Sequence, residues 1–110
     1  MVIVIFMGEK LMWHKYNEGL TIGLEGSEGG IILKDDESTD GARITLESIA
    51  KGGPPFVITC GIYGMMFTTV FHDLESDANS DFKNIKALIN LFFSGEMSEE
   101  EWHDMFWDIY

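Results

Sequence analysis

Apolar residues change period once along this chain, and that change constrains the fold more than any motif does. As far as residue 72 they alternate or run in short β-branched blocks, and from residue 80 onward they recur at helical spacing. Strands followed by helices predict an α+β domain. The expected form is a curved antiparallel sheet of about five to six strands with two C-terminal helices packed on one face.

Val2-Ile3-Val4-Ile5-Phe6 is a β-branched run closed by Met7-Gly8-Glu9-Lys10. Leu11–Tyr16 is short and aromatic-rich, closed by Asn17-Glu18-Gly19. Leu20, Ile22 and Leu24 alternate onto one face of a further expected strand. The cluster Gly26-Ser27-Glu28-Gly29-Gly30 reads as a turn, because glycine accepts positive φ without steric cost. Ile31-Ile32-Leu33 reads as a short strand, and Lys34–Gly41 as a polar loop after it. Ala42–Ile49 alternates again, with Ile44 and Leu46 opposite Arg43, Thr45 and Glu47.

Lys51-Gly52-Gly53-Pro54-Pro55 is the strongest break, and the longest apolar stretch, Phe56–Phe71, follows it. Its β-branched and aromatic content favours strand over buried helix. Two strands, 56–62 and 65–72, are expected, joined by a tight turn near Tyr63-Gly64. One long strand with a glycine bulge is the alternative.

Phe82, Ile85, Leu88, Ile89, Phe92 and Phe93 then form one apolar stripe, which predicts a helix from about Ser80 to Phe93. Ser80 or Asp81 is the expected cap, and Ser94-Gly95 the stop. Ser98-Glu99-Glu100-Glu101 matches a capping box. Trp102, Met105, Phe106 and Ile109 fall at i, i+3, i+4 and i+7 of a second amphipathic helix, with Trp107 off that stripe. No Pro-rich linker divides the chain, so residues 1–110 are expected to be one domain.

Charge sets the partner class. Nineteen Asp and Glu oppose seven Lys and Arg, a balance of −12. Residues 56–110 hold ten of those acids against only Lys83 and Lys86. Such a surface repels phosphate polymers and anionic lipid and attracts a cationic partner, so no nucleic acid and no membrane are expected. Val2–Met7 is too short for a membrane span and lacks the basic start and cleavage site of a secretory signal. With Cys60 as the one cysteine, no internal disulfide forms, and a cytoplasmic location is expected.

The chemistry-bearing residues do not assemble into a reaction centre on paper. Cys60 and His72 are a conceivable nucleophile and base, but Asp73 adjoins His72 on a strand and faces the other way. No C-x₂-C, H-x₃-H or HExxH spacing is present for zinc. The glycines at 23, 26, 29 and 30 lack a lysine and lead into a strand, so a hairpin turn is preferred to a phosphate cradle. Asp35-Asp36-Glu37-Ser38-Thr39-Asp40 lacks calcium-loop spacing and is read as solvated. The expectation is therefore no enzyme, no cofactor and no metal.

Ala42-Arg43-Ile44-Thr45-Leu46-Glu47 and Val57-Ile58-Thr59-Cys60-Gly61-Ile62-Tyr63-Gly64, with Phe71-His72 and the acidic second helix, resemble the small immunity proteins of bacterial contact-dependent growth inhibition and related polymorphic toxin systems. The resemblance implies a cytoplasmic protein that neutralises a cognate toxin, commonly a nuclease, in a one-to-one complex. The charge balance points the same way independently, since a nuclease needs a basic cleft. An acidic adaptor or oligomeric subunit is the alternative. The expected partner-binding residues are Asp35, Asp36, Glu37 and Asp40 in one loop, and Asp73, Glu75, Asp77 and Asp81 in another.

Overall fold

The computed structural model describes residues 13–110 of this chain. The expected strand Val2–Phe6 and the start of Leu11–Tyr16 lie outside them. Five strands are present among the described residues: β1 (Trp13–Lys15), β2 (Ile31–Ser38), β3 (Ala42–Ser48), β4 (Phe56–Ile62) and β5 (Met66–His72). Helices α1 (Glu75–Ser94) and α2 (Glu99–Ile109) follow them. The strands pair in sequence order, each antiparallel to the next, so the α+β expectation holds.

Register decides which residues meet the helices. Ala42 lies opposite Ile62, Ile44 opposite Cys60 and Leu46 opposite Ile58, so these six share one face. Ala78, Phe82, Ile85 and Ile89 of α1, with Trp102 and Phe106 of α2, close over them as one buried cluster. Burying side chains of this size contributes roughly 1.5–3 kcal/mol each. Trp102 is stacked on Phe106 with ring centroids 5.0 Å apart, and its indole N–H donates to the Leu88 carbonyl at 2.7 Å. The two helices are thus fastened by a polar bond as well as by packing.

Several local expectations hold. Tyr63 and Gly64 form the β4–β5 turn, where Gly64 has φ +75° and the Met65 amide donates to the Ile62 carbonyl at 2.9 Å. Gly95 stops α1 with φ +73°. The capping box of α2 is complete, with Ser98 and Glu101 each satisfying the other's backbone N–H.

Three expectations are corrected. Residues 20–24 are a chain of turns, with Gly19 and Gly23 at positive φ, and Leu20, Ile22 and Leu24 are exposed. Only residues 23–25 bond to the start of β2, and among the described residues no element covers the side chains of Leu20, Ile22 and Leu24. Lys34–Ser38 is strand, not loop, because its acids find partners on neighbouring elements and tertiary contacts outweigh weak strand propensity. Helix α1 begins at Glu75, with Leu74 at the cap position and no side-chain cap. Glu75 and Asp77 sit in its first turn, where carboxylates complement the helix dipole, and Ser80 and Asp81 fall inside the helix.

Candidate functional site

The first acidic cluster is largely spent inside the molecule. Strand alternation sends Asp35 and Glu37 to the helix-free face and Asp36 to the helix side. Asp35 is buried, and its carboxylate accepts from Arg43 Nε at 2.9 Å and Nη2 at 2.7 Å. The Thr21 hydroxyl donates to the same group at 2.8 Å. The bond to Asp35 raises the Arg43 pKa, and the guanidinium lies 3.6 Å over the Tyr16 ring. Asp36 accepts from Lys86 Nζ of α1 at 2.6 Å. Glu37 accepts from the Tyr63 hydroxyl at 2.6 Å, and His14 Nε2 lies 3.3 Å from it. Asp40, in the β2–β3 turn, is exposed.

The second cluster is differently placed. Asp73, Glu75 and Asp77 are exposed along the β5–α1 connection and first turn. Asp81, one turn further, is partly buried and joins three elements. His72 Nε2 at the end of β5 lies 2.8 Å from its Oδ2, and the Tyr110 hydroxyl donates to its Oδ1. This tie draws the last turn of α2 against the start of α1. One end of the molecule therefore carries Asp73, Glu75, Asp77 and Asp108 together with exposed Leu74, Ile109 and Trp107, the tryptophan 47% exposed.

A second feature lies on the helix-free face. A cleft of about 730 Å³ opens between the sheet, residues 21–27 and the β4–β5 hairpin, with Leu24, Ile32, Thr45, Glu47, Thr59 and Phe67 in its lining. Glu47 is fully buried, and its Oε1 accepts from the Gly30 amide at 3.0 Å and the Glu28 amide at 3.2 Å. No cation pairs with it among the described residues. The Thr59 hydroxyl is buried and has no hydrogen-bond partner among the described residues. The glycine turn at 26–30 thus cradles an anion, and the anion is the chain's own Glu47. Sequence reasoning missed this, because nothing local links residue 47 to residue 30.

Cys60 is buried, with its thiol pushed up to about 12, first by burial and then by the Asp81 charge. It lies opposite Thr68, whereas His72 lies opposite Phe56, four positions along the ladder. The two are not brought together, and His72 is engaged by Asp81 instead. Among the described residues no group of three His, Cys, Asp or Glu is gathered to hold a metal ion, and no helix is long and apolar enough to cross a membrane.

No family model, curated protein or solved structure matches this chain.

Proposed function

We propose that this chain is a cytoplasmic immunity protein that binds a basic toxin domain of the nuclease class and neutralises it by occlusion in a one-to-one complex. The supporting observation is the end of the molecule tied together by Asp81 and Tyr110, where the flanking segments 73–77 and 107–109 carry four exposed carboxylates and the exposed Leu74, Trp107 and Ile109. Interface energy concentrates in aromatic anchors ringed by polar groups, and acids there complement a cleft shaped to hold phosphates. The net charge of −12 adds long-range attraction for the same class of partner.

This reading moves the contact surface from the first acidic cluster to the second. Asp35, Asp36 and Glu37 already have internal partners, so a toxin would have to displace them. Asp73, Glu75 and Asp77 would not need to be displaced from anything.

The test first asks whether a neighbouring gene encodes a protein with a basic C-terminal domain, and then uses that domain in purified form. A one-to-one complex by light scattering, loss of toxin activity and an association rate that falls as salt rises support the reading. Self-association with no binding to the toxin domain points to the alternative, an acidic oligomeric subunit.

A further inference from the structure

The cleft on the helix-free face has a composition that the immunity reading does not use. Its walls include Leu24, Ile32 and Phe67, and its volume of about 730 Å³ lies in the range of small-ligand sites. Two polar groups at its base are incompletely matched. Among the described residues the buried Thr59 hydroxyl has no partner, although a buried hydroxyl normally has one. Glu47 is buried with backbone N–H donors and, among the described residues, no cation, although buried carboxylates are normally paired.

Register places these groups side by side. Thr45 lies opposite Thr59, and Glu47 follows Thr45 on the same face, which makes Glu47 and Thr59 diagonal neighbours. Arg43 also borders the cleft, but Asp35 neutralises it and Tyr16 covers its face. Among the described residues, the carboxylate without a cation at the base is therefore that of Glu47. At the mouth stand Tyr63 and Phe67, 54% and 69% exposed, and aromatic faces attract cations.

From this arrangement we infer that the cleft is a binding site for an organic cation on an apolar stem. The stem lies along Leu24, Ile32 and Phe67, the cationic head is drawn toward Glu47, and the Thr59 hydroxyl gains the partner it lacks. An alkylammonium and the side chain of a lysine or arginine share this chemistry. The site lies on the face opposite the helices and does not depend on the toxin-binding reading.

The experiment is amide chemical-shift titration of the intact chain with hexylammonium, with N-acetyl-arginine amide, and with hexanoate as the anion of matching stem. Saturable shifts at Gly26, Gly30, Thr59 and Phe67 with either cation, and none with hexanoate, are expected. Tighter binding of hexylammonium assigns the site to free amines, and tighter binding of the arginine amide to a protein side chain. E47Q keeps an oxygen for the Gly30 and Glu28 amides and should weaken binding about tenfold or more. T59V, of nearly equal volume, should weaken it less and retains the fold independently of Glu47. Equal binding of hexanoate, unchanged affinity in folded E47Q, shifts confined to other regions, or no saturation at tens of millimolar would each overturn the proposal. Loss of toxin binding in variants of Asp73, Asp77 or Trp107 is read separately, since none of these residues lines the cleft.

Discussion

Arg43 holds the buried carboxylate of Asp35 by two hydrogen bonds, at 2.9 and 2.7 Å, while its guanidinium lies over the Tyr16 ring. The pair joins β2 to β3 on the helix-free face, and Thr21 adds a third donor from the turn region. Removing one partner leaves the other desolvated. D35A is expected to cost about 2–3 kcal/mol. That is below the figure for a fully buried pair, because Arg43 retains 34% side-chain exposure. Replacing both residues by apolar ones should recover much of the loss, and urea unfolding of the single and double variants measures it.

Trp107 should matter to a partner and not to folding. It is 47% exposed, whereas Trp102 and Phe106 are fully buried. W107A is expected to leave the melting temperature nearly unchanged and, on the proposed function, to weaken binding of the toxin domain by about 2 kcal/mol or more. Charge reversal at Asp73 and Asp77 should chiefly slow association. A parent-like association rate in the reversed variant would place the contact elsewhere.

High pH should destabilise the fold through two phenols. Desolvation, then the bond to Glu37, pushes Tyr63 from 10.0 up to about 12. Burial, then the bond to Asp81, moves Tyr110 in the same direction. Both side chains hold their protons more tightly when folded, so their contribution is complete below the unfolded value near 10 and is lost as pH climbs through the folded values. Urea midpoints should fall between pH 10 and 12 and fall less in Y110F. An identical decline in Y110F would remove Tyr110 from the account.

Gly30 is fixed by close approach. A Cβ there would lie 2.7 Å from the Ser48 carbonyl oxygen, a backbone atom that cannot rotate away. G30A is expected to cost about 1–3 kcal/mol as the turn is pushed off the sheet. Gly29, whose Cβ would meet nothing within 4 Å, has φ +82°, so alanine there is limited by backbone strain alone. Comparing the two variants by thermal melts separates crowding from strain.

The element types were legible where pattern and burial agree. The alternation of Ile44 and Leu46, the stripe from Phe82 to Ile89 and the Ser98–Glu101 box each state a local preference that the fold keeps. Residues 20–24 misled because alternation says nothing about whether a neighbouring strand exists. Residues 34–38 misled because Asp35 and Asp36 are tolerated in a strand only through Arg43 and Lys86, eight and fifty positions away. The acidic clusters were named from the sequence, but which of their carboxylates are engaged inside the molecule and which are exposed is a tertiary property. The same is true of the Glu47 cradle.

Because each strand pairs with the one before it in the chain, the sheet can form by successive pairing of sequence neighbours. The face bearing Ile44, Leu46, Ile58 and Cys60 has no cover, however, until residues 75–110 fold back over it. During synthesis the sheet therefore precedes its lid, and the interval between them is when sticky surface is open to other chains. Tyr110 and Asp81 then act as the latch that ends this exposure.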